Sequence, residues 1–378
     1  MVKAFNKNDV SYTSKEQYMF FSEQPNVSRY DVQKYPIFEK LIQKHLGFFW
    51  IPEEIDVTSD IVDYKQLSKN EQHIFTKNLE YQTLLDSVQG RSVNLALLPF
   101  VSLPELETLI ETWAFSETIH SRSYTHILRN ILNNPSLVFD DILQNTEIMK
   151  RADSVTKYYD DLIEYGQLYS ALGEGKHVIN GKTIILSERE VKKRLLLCMV
   201  AINILEGIRF YVSFFCSFAF AENGKMEGNS KIIQLIARDE NVHLAITQNI
   251  LKKWATGQDD PIMKELFEEN ISKIESMYDD AINEEKEWAS YLFKDGSMLG
   301  LNYSIVCEGI EYLGGKRLRA IGLKSSYTRK NPLSWTDKYL KSANTQVAPQ
   351  ETEITSYISG SIKHDVDEHT FNYLNDLI

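Results

Sequence analysis

Cysteine is scarce: Cys198, Cys216 and Cys307 are widely spaced, odd in number and set in apolar or helical patterns. That excludes a disulfide framework and points to buried reduced thiols in a cytosolic protein. A dense Lys/Arg block is missing as well, and 41 basic against 53 acidic residues leave a formal charge of −12. This argues against nucleic acid or an anionic membrane as a partner. Long apolar runs are absent too. The longest, Phe210 to Ala221, is interrupted by Ser and Cys and is too short to span a bilayer, and the N-terminal Met-Val-Lys-Ala-Phe-Asn-Lys-Asn-Asp has no apolar signal core. No internal repeat of solenoid length occurs. What remains is a soluble chain of 378 residues, 43% of them hydrophobic, which is enough for a substantial core.

The first thirty or so residues are polar and weakly periodic, as in an arm draped over a surface. From about Tyr30 to Lys330 the pattern is helical. Ser-x-x-Glu capping boxes at Ser68–Glu71, Ser102–Glu105 and Ser187–Glu190 precede long periodic segments. The periodicity predicts helices near 35–46, 68–92, 102–131, 138–146, 153–171, 187–221, 226–254, 261–288 and 303–322. One interruption, His177-Val-Ile-Asn180-Gly181-Lys-Thr-Ile-Ile185, reads as a β-hairpin on an Asn-Gly turn. After Trp335 the pattern fades, and Val347 to Ile378 reads as a mobile acidic tail ending in a short binding motif. The expected architecture is an all-α helix bundle with a small hairpin insertion. Residues 1–345 form its body with the N-terminal arm, and 346–378 form a flexible tail.

Two seams in this bundle carry the wrong chemistry for a core. The stripe Leu103, Leu106, Ile110, Trp113, Glu117, His120, Tyr124, Ile127 keeps a 3-4 spacing throughout, and so does Ile233, Ile236, Glu240, His243, Thr247, Ile250. That period marks the buried side of a packed helix. A charged group there is costly unless it is paired or binds a metal. Glu-x-x-His by itself is a weak signal, and a third match, Glu174-Gly-Lys-His177, sits off any helical seam in the Gly-rich approach to the hairpin. The bland alternative for the two seam pairs is a satisfied polar cluster in the core. Helix geometry favours metal, because residues i and i+3 lie roughly 60° apart and one turn displaced, so a carboxylate and an imidazole converge.

Ferritin-like dimetal bundles join two such pairs to one carboxylate from each of two further helices. Glu206 is one candidate, following Leu195, Met199 and Ile202 on a helix that continues into Phe210, Tyr211, Phe214 and Phe218. Asp86 is the other, flanked by Leu84, Leu85 and Val88, with an exposed helical Asp as its alternative reading. Four carboxylates and two imidazoles form a hard, oxygen-rich set suited to Fe or Mn, and the four negative charges balance two divalent ions. Tyr124 lies four residues beyond His120, about 6 Å further along the seam. It is either a protected phenol that an oxygen-activating metal pair oxidises to a radical, or a core tyrosine hydrogen-bonded to a carboxylate such as Asp86.

Taken together the chain resembles the small, radical-bearing (beta) subunit of class I ribonucleotide reductase, class Ia subtype. The strings that carry the resemblance are Phe48-Phe-Trp50-Ile-Pro-Glu-Glu54, Tyr81-Gln-Thr-Leu-Leu-Asp86-Ser-Val-Gln-Gly-Arg91-Ser, Glu111-Thr-Trp-Ala-Phe-Ser-Glu117-Thr-Ile-His120-Ser-Arg-Ser-Tyr124-Thr-His126, Asn203-Ile-Leu-Glu206-Gly-Ile-Arg-Phe210-Tyr-Val-Ser-Phe214, Ile236-Ala-Arg-Asp239-Glu240-Asn-Val-His243, and Val347-Ala-Pro-Gln-Glu351 leading to Ser356-Tyr357. They span about Tyr30 to Tyr357. The resemblance implies six metal ligands, Asp86, Glu117, His120, Glu206, Glu240 and His243. It implies two iron ions, oxo-bridged when oxidised, with manganese as an alternative and O2 needed for activation. Tyr124 becomes the stable tyrosyl radical. Trp50 and Asp239 start a proton-coupled electron-transfer route, with Asp239 as partner to His120 and Trp50. Tyr357 relays the oxidising equivalent to the large (alpha) subunit, which the tail docks on and which reduces ribonucleotides to deoxyribonucleotides. A cytoplasmic homodimer is also implied. The terminal Phe371-Asn-Tyr-Leu-Asn-Asp-Leu-Ile378 departs most from the family's pattern.

Three other readings fit parts of the pattern. A ferritin-like iron store would need neither Tyr124, Trp50 nor the Tyr357 tail. A di-iron oxygenase would need a substrate channel where this chain has Phe210, Phe214 and Ile236. A helical scaffold with merely structural polar seams would bind no metal tightly.

Overall fold

The computed structural model describes residues 4–341. The arm up to about residue 34 is irregular but anchored. Phe20 bridges to Val101, and Met19 donates its backbone N–H to Asp259 and is fully buried. The chain then enters α1 (Pro36–Leu46), α2 (Thr58–Gln66), α3 (Lys69–Leu97) and α4 (Pro104–Ile131). The Ser68–Glu71 box forms in full: the serine hydroxyl accepts from the Glu71 N–H, and the glutamate carboxylate accepts from the Ser68 N–H. The Ser102–Glu105 box does not form. Pro104 takes the first helical position, which suits a residue without an N–H, and moves the cap to Leu103. Ser102 and Glu105 instead hold the arm and α1 in place. The Ser102 hydroxyl accepts from the Ser22 N–H at 2.8 Å, and the Glu105 carboxylate accepts from Lys34 and Tyr35 at 2.9 and 3.1 Å.

Two more helices follow, α5 (Ser136–Ile142) and α6 (Thr146–Leu172), the latter capped by Asn145 and starting earlier than its periodicity suggests. The hairpin is present: β1 (Gly175–Ile179) pairs antiparallel with β2 (Lys182–Leu186), with Ile179 opposite Lys182. Asn180 and Gly181 turn with φ of 50° and 76°, the positive values that an Asn-Gly turn supplies. A continuous rod then runs from Glu188 to Glu222. It comprises α7 (Glu188–Ile204), a π-helical stretch Leu205–Arg209, and α8 (Tyr211–Glu222). The rod is long and apolar enough to cross a bilayer by length and composition, although Phe210–Ala221 alone is too short. Its apolar residues are nonetheless packed inside the bundle, as in a core helix.

Helices α9 (Glu227–Thr256), α10 (Pro261–Glu269), α11 (Ile271–Leu292), α12 (Tyr303–Ala320) and the short α13 (Asp337–Leu340) complete the body. The segment expected as one helix over 261–288 is two, because the Asn270 side chain donates to the Leu266 carbonyl and ends α10. Helix α3 runs along α4 and α6, α4 touches α9, and α7 packs on α6 and α9. This brings α3, α4, the α7–α8 rod and α9 around one interior. Cys198 and Cys216 are buried and Cys307 is half-buried, all as free thiols. The expected tail, including Tyr357, lies outside the described residues.

Candidate metal centre

Four helices each supply part of a dry polar cluster. Helix α3 brings Asp86, α4 brings Glu117 and His120, the π-helical stretch brings Glu206, and α9 brings Glu240 and His243. Each of the six is at most 1% exposed. Their donor atoms fall into two sets, Asp86–Glu117–His120–Glu240 and Glu117–Glu206–Glu240–His243, with all atoms of a set within 4.8 Å of one another. Glu117 and Glu240 belong to both sets. Two adjoining positions that share two carboxylates is the arrangement of a bridged ion pair.

Both imidazoles turn Nδ1 inward. His120 Nδ1 lies 3.1 Å from Glu117 Oε2 and 3.1 Å from Glu240 Oε1. His243 Nδ1 lies 2.8 Å from Glu240 Oε2 and 3.0 Å from Glu117 Oε1. Burial alone would favour neutral rings, but Asp239, Glu117 and Glu240 raise His120 well above the usual range, and Glu117 and Glu240 do the same for His243. Burial first, and Glu117 second, raise the Asp86 carboxyl; burial and Glu240 raise Glu206. Glu240 moves the other way: burial would raise it, but His243, Glu206 and His120 together outweigh that penalty. Protons therefore stand where cations would neutralise the cluster.

A metal pair fits these residues. Both Asp86 oxygens and Glu206 Oε2 are buried without a hydrogen-bond donor. An orphaned buried carboxylate oxygen costs free energy that a cation recovers. The donor set is oxygen-rich, as iron or manganese prefers.

The surroundings orient the donors. Trp50 donates from Nε1 to Asp239 Oδ2 at 2.8 Å, and that same oxygen lies 3.3 Å from His120 Nε2. His120 and Arg238 hold the Asp239 carboxyl below its ordinary value against the opposing effect of burial. Tyr124 is fully buried, and its hydroxyl has no well-aligned hydrogen-bond partner. Burial and the neighbouring Asp86 carboxylate push its phenol well above the usual range, so it is a neutral phenol. Phe210, Phe214 and Ile236 are all fully buried, and the two phenylalanine rings stack at 5.7 Å.

Several supporting residues were not predicted. Trp113, placed in the seam as an apolar residue, donates from Nε1 to Glu117 Oε1 at 2.8 Å. Gln89, three residues beyond Asp86 on the same face, donates to Glu206 and accepts from the buried Tyr159 hydroxyl. His45 on α1 places Nε2 at 3.2 Å from His243 Nε2. The signal for His45 was an imidazole in the stripe Phe38, Leu41, Ile42, His45. Burial and the nearby His243 push it down to about 3, so it is neutral.

Comparison with known proteins agrees with this geometry. The family model described as "Ribonucleotide reductase, small chain" matches residues 29–332. A ribonucleoside-diphosphate reductase 1 subunit beta from Escherichia coli O157:H7 is 58% identical over 350 residues, 92% of this chain and 93% of that one. A subunit beta from Haemophilus influenzae is 56% identical over 368 residues, 97% of each chain. Among solved structures, a ribonucleotide reductase R2 subunit from Clostridium botulinum superposes with a TM-score of 0.75 at 27% identity, covering 90% of this chain and 98% of that one. The bundle is the ferritin-like architecture of such subunits. An iron store, an oxygenase and an inert scaffold thereby lose their claim.

Proposed function

Because the chain belongs to the ribonucleotide reductase small-chain family, we propose that it generates and holds the radical that starts reduction of ribonucleoside diphosphates. It is the small subunit of that reductase and works with a large subunit. The observation that carries the radical reading is the pair of four-ligand sets sharing Glu117 and Glu240, with a dry, neutral Tyr124 beside Asp86. In this reading Asp86, Glu117, His120, Glu206, Glu240 and His243 bind two ions. Iron is our choice of metal; manganese suits the same donors.

When bound, the reduced metal pair supplies oxidising power from O2. The chain's own residues direct that power. Tyr124 gives up an electron together with its phenolic proton, for which the Asp86 carboxylate is the acceptor at hand. Phe210, Phe214 and Ile236 keep water away, so the oxidised ring is not quenched. Asp239 holds both the Trp50 indole N–H and the outer nitrogen of His120, linking the cluster to a route toward the surface. Tyr357 continues that route to the large subunit, and residues 346–378 dock there, apart from a body of 1–345. We also propose a cytoplasmic homodimer. The stacked, exposed rings of Phe49 and Phe115, with the exposed Leu46, offer an apolar surface to a second copy.

The test is reconstitution with Fe(II) and air, followed by assay of ribonucleoside diphosphate reduction with a partner large subunit. The parent should turn over, whereas Tyr357→Phe should keep its radical and lose turnover. Normal turnover in that variant removes the tail relay.

A further inference from the structure

The two ligand imidazoles are backed by different groups. Each points Nδ1 at the carboxylates and Nε2 outward. Behind His120 stands the Asp239 carboxylate, itself held by Trp50 and Arg238. Behind His243 stands His45, with Nε2 facing Nε2 at 3.2 Å and the rings 5.0 Å apart at 72°. His45 is buried on α1, which packs against both α4 and α9, the helices that carry the two Glu-x-x-His pairs. Its Nδ1 has no hydrogen-bond partner. A half-satisfied buried imidazole is unfavourable, and its one polar contact goes to a ligand.

We propose that His45 is a positioning residue for His243: its Nε2 accepts the Nε2–H of His243, and it backs the second ion with an imidazole where the first has a carboxylate. This rests on the dimetal reading above. Accepting at Nε2 places the His45 proton on Nδ1. It also keeps the His243 proton on Nε2, leaving the His243 Nδ1 lone pair free for an ion. A carboxylate acceptor makes a ligating imidazole more basic than an imidazole acceptor does. The two positions are therefore unequal, and the ion on the His243 side is held less tightly and leaves first.

The test is anaerobic calorimetric titration of metal-free full-length protein with Mn(II), with circular dichroism as the check on folding. The parent should take up two ions per chain with distinct affinities. His45→Leu removes the acceptor and should weaken the weaker site by ~10- to 100-fold while sparing the tighter one. His45→Gln, whose amide oxygen can accept the same proton, should recover most of that loss. If the Leu variant does not fold, His45→Met, apolar and flexible, carries the same expectation. Unchanged affinities in the acceptor-less variant, or equal weakening of both sites, overturn the assignment while leaving the dimetal centre standing. A parent that binds fewer than two ions overturns both.

Discussion

At Glu240 a carboxylate lies against both imidazoles of the cluster, 3.1 Å from His120 and 2.8 Å from His243. Its charge is in place before any ion arrives. The same is not true of Asp86, Glu206, His120 and His243, all shifted upward. Each of these groups holds its proton to higher pH than usual, and an incoming ion must displace it. Metal affinity should therefore rise with pH, and binding should release protons. Glu240, shifted downward, adds nothing to that dependence. Calorimetry in two buffers of different ionisation enthalpy, on either side of neutrality, measures both quantities. PH-independent affinity without proton release would contradict this charge distribution. The six residues of the cluster were legible as a group because each is a polar intrusion into an apolar seam. Trp113 and Gln89 were not, since an indole in a seam looks like core, and an amide beside Asp86 gives no sign of what it faces.

Among the elements, the π-helical stretch Leu205–Arg209 was invisible in the sequence. Glu206 follows Leu195, Met199 and Ile202 at ordinary helical spacing, and nothing in those residues signals a widened turn. Such bulges gather at functional sites, where they redirect one side chain within a packed helix. Helix α2 was also missed, because its polar, short sequence has no strong apolar stripe, yet it caps the helix that carries Glu240 and His243. Asp60 on α2 accepts from the Gly228 and Asn229 N–H groups at 3.1 and 2.6 Å, and Asp63 accepts from Met226 at 2.9 Å. These satisfy the first donors of α9, where Met226 at positive φ offers no capping side chain. Asp60→Ala should lower stability by about 1–2 kcal/mol, the usual cost of losing a helix cap. Urea unfolding of the metal-free protein reads that loss directly, and an unchanged midpoint would show that α9 does not depend on α2. Helix α4 teaches the converse: a Ser-x-x-Glu pattern two residues ahead of Pro104 is claimed by the arm, since long-range partners outcompete the local box.

For the whole molecule, the bundle was legible and its interior chemistry followed from it. Periodicity placed the long helices, and the Asn180–Gly181 turn placed the hairpin. The ends of the helices were less legible: α9 is capped by Asp60 from a distant helix, while α6 and α10 are bounded by single asparagines, Asn145 and Asn270, that form no Ser-x-x-Glu pattern. The family match over residues 29–332 covers the helices that build the cluster, so fold, centre and family agree on one activity. All of it depends on six side chains holding two ions next to one phenol. Electron paramagnetic resonance and metal analysis of the protein after Fe(II) and air test that most directly, on the parent and on Tyr124→Phe. The account predicts two ions per chain in both, with a tyrosyl signal in the parent alone. A signal that survives in Tyr124→Phe, or a parent that retains fewer than two ions, contradicts it.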